Sequence, residues 1–246
     1  MIDELRFERA RVTVLGESYE KDGIGTYSEK ALHRILKLYF EENEAFHEVK
    51  FLGSVADVKN EKQIYEIQTR AFGKLSGKLE KFLTEMPVTV VYPLPYEKYV
   101  RWIDRETGEI SQRRKSPKKS SVFDSFYELY NIREFLSNKN LSVKLVFLNV
   151  EEFKYIGGKV IGRERKSVRA ERIPISIERI VELNDREDYK IFFPKCLGDS
   201  FTAADFNRSV GKRFKYGYSG IAILKSLGLV SEGERVGRKI IYKRLP

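Results

Sequence analysis

The sequence predicts an α/β fold in which a mixed β-sheet flanked by helices is followed by a small domain of helices and a β-ribbon. In the first half of the chain, a helical pattern, three short strand patterns, a second helical pattern and another strand pattern follow one another. In the last part, two helical patterns precede two strand patterns that are separated by a Gly-containing turn. Consecutive antiparallel strands followed by a helical crossover are typical of a mixed sheet.

The first elements are a strand pattern, a loop and an amphipathic helix. The stretch RVTVL at residues 11–15 predicts a short strand, and the glycine-bearing residues 16–27 predict a mobile loop. Residues 28–43 predict a helix with Ser28 as its N-cap. The apolar residues of this helix recur at helical spacing, namely Leu32, Ile35, Leu36, Tyr39 and Phe40.

The next segment predicts three short strands, a helix and a buried strand. Residues 47–53, 54–58 and 63–69 have strand patterns, and the polar KNEK joins the last two as a turn. One face of the following helix carries Phe72, Leu75, Leu79, Phe82 and Leu83. The apolar strand at residues 88–95 is expected to end at its prolines.

The middle of the chain alternates basic and apolar segments. Residues 101–121 predict an extended polar excursion from the sheet, and residues 141–150 predict another buried strand. Between them, residues 121–136 predict a helix whose inward face consists of Phe123, Phe126, Tyr127 and Tyr130. A basic, glycine-bearing stretch at 154–172 then leads into a short amphipathic region at 176–184.

The last segment has the elements of a winged helix-turn-helix. Two helical patterns are followed by a strand, a Gly-containing turn and a second strand, and the first helix of the motif would come from residues 176–183 or 187–194. We therefore expect a core domain at 1–153, a basic connecting region at 154–197 and a small winged-helix domain at 198–246.

Two acidic side chains are expected to meet in the hairpin formed by the second and third strands. If the turn centres between Glu61 and Lys62, Asp57 lies opposite Glu66, with about 5 Å between their Cβ atoms. Adjacent carboxylates repel each other unless a cation lies between them. The pair therefore predicts a metal site, and ordinary exposed strand residues are the alternative interpretation.

The first helix offers a further candidate ligand. Glu29 lies three and seven residues before Leu32 and Leu36, so it shares the inward-facing stripe of the helix. A simple first-turn acid is the alternative, because acidic residues are favoured at that position of a helix. His33 lies one turn further on and is interpreted as structural, since it has no companion at metal-ligand spacing.

Composition restricts the metal and the compartment. Cys196 is the only cysteine, which excludes an intrachain disulfide and a cysteine-based zinc site. With only His33 and His47 as imidazoles, a metal would be held mainly by oxygen ligands, which favours Mg²⁺ or Mn²⁺. The N-terminal residues do not resemble a signal peptide, and no apolar run is long enough to span a bilayer. We expect a cytoplasmic protein with no membrane partner.

The order of these elements resembles the PD-(D/E)XK nuclease superfamily. A helix with Glu29, a strand, a strand with Asp57, a strand with Glu66 and Gln68, a helix and a strand follow in that superfamily's order. The sequence ADV…EIQT is especially similar to competence-protein-CoiA-like nucleases, which also carry glutamine where lysine is usual. The resemblance covers roughly residues 28–95 and implies a restriction-endonuclease-like mixed sheet flanked by helices.

The resemblance implies a metal-dependent hydrolysis of phosphodiester bonds. It assigns the metal to Asp57, Glu66 and Glu29, and it adds Gln68 to the catalytic residues as the group that orients the attacking water. The sequence departs from the superfamily pattern in lacking the Pro-Asp pair and in having Gln68 in place of lysine. Because glutamine carries no charge and is not a base, a working site needs metal ions to stabilise the developing charge.

Positive charge is concentrated in three segments of a chain whose net charge is +10. Residues 113–119 contain five basic residues and no acid, residues 159–172 six against two acids, and residues 198–246 ten against four. This distribution predicts nucleic-acid binding. The expected contacts are Arg113, Arg114, Lys115, Lys118, Lys119, Arg163, Arg165, Lys166, Arg213, Lys215, Tyr216, Tyr218, Arg238 and Lys239.

Three functions are compatible with these observations. The first is a metal-dependent DNA endonuclease or DNA-processing enzyme with a winged-helix DNA-binding tail. The second is a catalytically inactive DNA-binding protein that keeps the nuclease fold as a scaffold, and the third is a subunit whose tail docks onto another protein. The sequence contains no interface pattern, so the oligomeric state is left open, as are the nucleic acid, its sequence and the pathway.

Overall fold

A mixed β-sheet forms the centre of the computed structural model, which describes residues 2–21, 30–156, 159–160, 163–164, 167–211 and 216–246. Within these residues the sheet has seven strands. They are β1 (His47–Phe51), β2 (Ser54–Lys59), β3 (Ile64–Ile67), β4 (Val88–Ile103), β5 (Arg114–Lys115), β6 (Leu141–Ile156) and β9 (Ser167–Leu183). The order is β1-β2-β3-β4-β6-β9, with β5 beside β4; β3/β4 and β4/β6 are parallel and the other pairs antiparallel. The predicted mixed sheet is confirmed.

Helices α1 (Glu4–Lys21) and α2 (Lys30–Phe40) cover one face of the sheet. The predicted strand at residues 11–15 is wrong, because this stretch belongs to α1. Phe7, Ala10 and Val14 are buried at helical spacing, and their burial against the sheet stabilises a helix through a locally β-prone sequence. Residues 16–21 of the predicted loop also belong to α1, and its remainder lies outside the described residues.

The three short strands form the antiparallel meander expected from the sequence. In β2 and β3, Val58 pairs with Tyr65 and Lys59 with Ile64, which is the register required by the predicted turn. Asn60 stabilises this turn, because its side chain accepts hydrogen bonds from the backbone N–H groups of Lys62 and Gln63.

Helix α3 (Ser76–Glu85) packs on the opposite face of the sheet and follows a short 3₁₀ helix, Phe72–Leu75. All five apolar residues predicted for one face of this segment are buried. The connection carries the chain from β3 over this face to β4, which therefore runs parallel to β3.

Strand β4 does not end at its prolines, contrary to the prediction, and continues to Ile103. The partner strand β3 pairs with β4 only as far as Val91, so Pro93 and Pro95 lie where β4 has lost that neighbour. Proline lacks a backbone N–H and is tolerated where a strand has a free edge. The separation of β3 from β4 leaves an opening at this edge.

Strands β6 and β9 form a long antiparallel ribbon along β4. The amphipathic region predicted at 176–184 belongs almost entirely to β9, so it cannot supply the first helix of a winged helix-turn-helix. The ribbon also takes up residues 154–156 and 167–183 of the predicted basic connecting region. Near its tip, β7 (Lys159–Val160) pairs with β8 (Arg163–Glu164).

The helix predicted at 121–136 is shorter than expected. It consists of a 3₁₀ helix, Val122–Ser125, capped by Ser121 and Asp124, and of α4 (Phe126–Tyr130). The predicted inward face is only partly correct. Phe126 is fully buried, whereas Tyr127 and Tyr130 are 54% and 36% exposed, because a short helix packs only one narrow side against its neighbours.

The C-terminal segment contains α5 (Ala203–Ser209), α6 (Gly217–Ser226) and a three-stranded sheet in the order β10-β12-β11. Strand β10 is Ser200–Phe201, and the ribbon predicted from the sequence is formed by β11 (Val230–Val236) and β12 (Lys239–Arg244). The candidate first helix at 187–194 contains a 3₁₀ helix, Asp188–Phe192.

This C-terminal segment packs directly against the large sheet's helices. Phe206 and Ile221 belong to the same continuous apolar core as Phe126 and Leu145. A Cβ atom at Gly220 would overlap the ring of Phe126, so glycine permits the close approach of α6 to α4. Across the described residues, no helix combines the length and apolar character needed to cross a membrane.

Candidate functional site

Asp57 lies at the point where β2 and β3 separate, between α2 and the end of β3. Its Oδ2 atom accepts a hydrogen bond from the backbone N–H of Ile67 at 2.8 Å and lies 3.1 Å from Nε2 of His33. His33 projects from α2 and holds the carboxylate from the helix side. The paired register ends at Val58 and Tyr65, so Asp57 and Glu66 follow where the strands separate, and Asp57 is close enough for its charge to act on Glu66.

Glu66 is the most deeply buried member of this group, with a side chain that is 1% exposed. Nζ of Lys78, from α3, donates a hydrogen bond to its Oε2 at 2.8 Å. The other carboxylate oxygen, Oε1, is buried and has no hydrogen-bond partner among the described residues. A buried carboxylate oxygen without a partner is costly in a folded protein, which marks it as a place for a donor or a cation.

The two carboxylates influence each other's protonation. Burial, reinforced by the charge of Asp57, raises the pKa of Glu66 to about 7, although Lys78 opposes this shift. The pKa of Asp57 is lowered despite the opposing effect of burial, because His33 and the Ile67 N–H stabilise the ionised form. Near neutral pH, Asp57 is therefore ionised, whereas Glu66 is protonated in a substantial fraction of the molecules.

Gln68 lies directly after β3 and lines an open pocket of about 390 Å³ with His33. Its backbone N–H donates to the carbonyl of Val91, and its side-chain amide donates to the carbonyl of Arg70. Ala71 also lines the pocket. Its backbone lies in the left-handed region, with φ +59°, which is strained for a residue other than glycine. The pocket gives access to the histidine side of the site.

Glu29, the third predicted ligand, lies outside the described residues. Within the described ranges, no three His, Cys, Asp or Glu side chains converge in a metal-binding arrangement. The structure therefore brings two of the three predicted ligands together, and the prediction for Glu29 remains open.

Two residues contact the carboxylates that the sequence did not connect to them: Lys78 was assigned no role, and His33 was interpreted only as structural. Lys78 lies three residues after Leu75 and four before Phe82, which are both buried. This spacing places a cation at the edge of the buried face of α3, and that was the sequence signal for a role of Lys78. His33 similarly lies three residues before the buried Leu36. Neither signal identifies the carboxylate that each side chain contacts, because that depends on how the helices pack across the sheet.

Replacing Lys78 with alanine is expected to destabilise the folded chain by about 2 kcal/mol at pH 8. The change leaves the buried Glu66 carboxylate without its cation, and the loss should shrink below pH 7, where Glu66 binds a proton. Urea unfolding at both pH values measures the effect. Lys81→Ala on the exposed side of α3 is the matched control, and equal effects of the two changes would contradict a stabilising role for the ion pair.

The basic segment at 113–119 is partly neutralised by glutamates of the neighbouring strands. Lys115 and Lys119 both pair with Glu97 at 2.8 Å, and Nε of Arg113 lies 3.6 Å from Glu151. Two members are engaged differently. Arg114 is an exposed residue of β5, and Lys118 lines a second pocket.

The remaining predicted nucleic-acid contacts divide into two groups. Tyr218, Arg238 and Lys239 meet around one small pocket of about 130 Å³ between α6 and the β11–β12 ribbon, and Tyr216 contacts Tyr127. The others lie outside the residues or side chains that the structure describes, namely Arg163, Arg165, Lys166, Arg213 and Lys215.

Comparison with known proteins adds one family and one relative. The family model described as Domain of unknown function (DUF8091) matches residues 30–184. The chain belongs to this family. The matched region includes Asp57, Glu66 and Lys78 and ends before the C-terminal helices.

A protein of Treponema pallidum (strain Nichols), described as uncharacterized, is similar to the chain over most of its length. The two are 29% identical over 225 residues, which cover 91% of this chain and 88% of the relative. No solved structure matches the chain.

Proposed function

We propose that this chain is a metal-dependent nuclease that hydrolyses phosphodiester bonds of DNA. The observation that carries the proposal is the proximity of Asp57 in β2 to Glu66 in β3, where one buried oxygen of Glu66 has no partner among the described residues. Such a carboxylate pair costs free energy by itself and becomes favourable when a divalent cation binds between its members.

The order of the strands supports the same proposal. Helix α2, the antiparallel strands β1, β2 and β3, helix α3 and the parallel strand β4 follow in the order that the superfamily resemblance implies. The two carboxylates occupy the second and third strands of this unit, as the resemblance requires.

The residues present fit Mg²⁺ or Mn²⁺. Asp57 and Glu66 would hold the cation with hard carboxylate oxygens, and Glu66 has an oxygen that no described group engages. A bound cation would lower the pKa of a water molecule and neutralise charge on the scissile phosphate. The hydrogen bonds of Asp57 use its Oδ2 atom, and the hydrogen bond from Lys78 uses Oε2 of Glu66. The second oxygen of each carboxylate would therefore be the one that binds the cation.

The chain's own side chains supply the remaining functions. Lys78 brings to Glu66 the positive charge that Gln68 cannot provide, and it approaches from α3 instead of from β3. His33 holds the Asp57 carboxylate in position. Gln68 has an amide at the pocket wall that can orient a water molecule by hydrogen bonding, once it leaves the Arg70 carbonyl.

The tail is proposed to contact DNA as a winged helix. Its two helices and three-stranded sheet support this assignment, and the pocket formed by Tyr218, Arg238 and Lys239 lies between α6 and the ribbon. A cation pair beside an exposed tyrosine suits a phosphate backbone. The cytoplasm remains the proposed location.

Cleavage is tested by incubating the purified chain with single-stranded, duplex and branched DNA in the presence of Mg²⁺ or Mn²⁺. We expect products with at least one of these substrates and none in EDTA. The absence of cleavage of all three substrates with both cations would contradict the nuclease proposal.

Metal binding is tested independently of activity by thermal unfolding at pH 8. Mn²⁺ at about 100 times its dissociation constant should stabilise the chain by about 2.7 kcal/mol, or roughly 5–10 °C. Asp57→Asn should abolish the shift, and Asp104→Asn in the distant β4–β5 connection should keep it. An equal thermal shift in the wild type and in Asp57→Asn would show that the cation binds somewhere other than this site.

A specific observation favours a second function, a non-catalytic DNA-binding protein. Each carboxylate already has one cationic or imidazole partner, since Lys78 pairs with Glu66 and His33 with Asp57. These pairs would suffice to hold the hairpin in a scaffold that has lost its metal. Binding of DNA without any Mn²⁺-induced thermal shift would support this alternative.

A further inference from the structure

A second cleft begins where the candidate site ends. Thr69 lines both the pocket beside His33 and a pocket of about 370 Å³ on the other side of the β3 terminus. This cleft occupies the opening left by the separation of β3 from β4, and Pro93 and Pro95 form part of its wall. The two pockets are therefore neighbours, and a chain-like ligand bound beside His33 would reach the cleft past Thr69.

One side of the cleft carries an excess of positive charge. Lys98, Lys118 and Arg172 line it. Beneath them lies Glu152, whose carboxylate is 3% exposed and pairs with Lys98 at 3.8 Å, Lys154 at 3.4 Å, Arg169 at 3.6 Å and Arg172 at 2.7 Å. Counted against Glu152 and the two acids of the cleft, Asp124 and Glu128, the five cations leave a net charge of +2; they are Lys98, Lys118, Lys154, Arg169 and Arg172. The region therefore attracts an anion.

The close placement of these cations is itself unfavourable. Burial lowers the pKa of Lys98, and the nearby charges of Arg172 and Lys118 add to this shift. The two acids of the cleft accept hydrogen bonds from neutral groups of the fold, which hold these carboxylates in place without cancelling their charge. Asp124 accepts hydrogen bonds from Ser121, and Glu128 accepts one from the buried backbone N–H of Phe72 at 2.9 Å.

An aromatic pair forms the opposite rim of the cleft. The rings of Tyr127, from α4, and Tyr216, before α6, have centroids 5.2 Å apart, and the two residues are 54% and 38% exposed. Exposed tyrosines at a basic groove are suitable for stacking with nucleobases. In a duplex the bases already stack on each other, whereas the bases of a single strand are available.

We propose that the cleft binds a single-stranded nucleic acid, with its phosphates on Lys98, Lys118 and Arg172 and a base stacked on Tyr127 and Tyr216. The inference rests on the proposed nuclease function for the direction of the strand, which runs from the cleft past Thr69 to the carboxylate pair. It adds the substrate class, namely a single strand or an unpaired end.

Binding is measured by fluorescence anisotropy of the full chain in EDTA, where no cleavage occurs. Labelled oligothymidylate is compared with a duplex of equal length, whose binding by the proposed winged-helix tail should not change in the cleft variants. Tyr127→Ala should weaken single-strand binding about tenfold, which reflects the loss of one stacked base. Lys118→Ala should weaken it and reduce the slope of log K against log salt by about 0.7.

Matched controls are available on the same surface. Tyr130→Ala changes another partly exposed tyrosine of α4 that does not line the cleft, and Lys139→Ala removes an exposed cation near the opposite end of β6. Both should bind as the wild type does. Binding of an oligouridylate of equal length shows whether the cleft prefers DNA or RNA. Tight binding of either oligonucleotide supports single-strand binding by the cleft.

Unchanged single-strand binding by Tyr127→Ala, or an equal loss of duplex binding in this variant, would overturn the inference. The cleavage assay would then decide the proposed nuclease independently. The opposite result is also distinguishable. A chain that binds single strands through Tyr127 and Lys118 but cleaves no substrate with Mg²⁺ or Mn²⁺ would overturn the nuclease proposal and keep this one.

Discussion

Asp57→Ala is expected to reduce phosphodiester cleavage by at least about a hundredfold, because outer-shell partners of metal ligands already cost 10–100-fold when removed. The change deletes one carboxylate of the pair and also the acceptor of the Ile67 N–H and the partner of His33. Nucleic-acid binding in EDTA should change little, since the cations of the cleft and tail lie on other elements. Initial cleavage rates and anisotropy on the same preparation measure both effects.

The matched control is Glu61→Ala, which removes an exposed carboxylate from the turn of the same hairpin. Its cleavage rate should equal that of the wild type. Asp57→Asn keeps the size of the side chain and separates loss of the metal ligand from loss of packing. Cleavage that persists in both Asp57 variants would show that Asp57 is not a catalytic residue.

The metal-free chain is expected to lose about 2 kcal/mol of stability between pH 5 and pH 7 through Glu66 alone. Burial raises the pKa of Glu66 from an ordinary value of 4.5 to about 7 in the folded chain. Between these values the folded state holds a proton that the unfolded state has released. The contribution of Glu66 is therefore greatest below pH 4.5 and is lost as the pH rises through 7.

Glu66→Gln should flatten this dependence, because the amide does not titrate. Asp57 does not mask the effect, since its lowered pKa keeps it ionised in both states between pH 5 and pH 7. Urea unfolding of wild type and variant in EDTA, at pH 5, 6, 7 and 8, gives the difference directly. Parallel pH profiles would show that Glu66 ionises normally and that the buried carboxylate pair does not form.

Much of the core could be predicted because its signals are local. The order of β1, β2, β3 and α3 follows from strand alternation, a polar turn and helical spacing, and the short turn determines the register that brings Asp57 to Glu66. The strand predicted at 11–15 failed because three residues at helical spacing, Phe7, Ala10 and Val14, bury their side chains on the sheet. Packing outweighed local β-propensity there.

By itself, the sequence determined that Asp57 and Glu66 share a hairpin and that basic residues fall in three segments. Only the tertiary structure decided which cations remain available. Glu97 and Glu151 neutralise much of segment 113–119, whereas Lys118 lines the cleft, Lys78 reaches Glu66 from α3, and Tyr127 lies at the surface. The physical reason is that charge pairing and exposure depend on residues distant in sequence, and no local pattern encodes their distances.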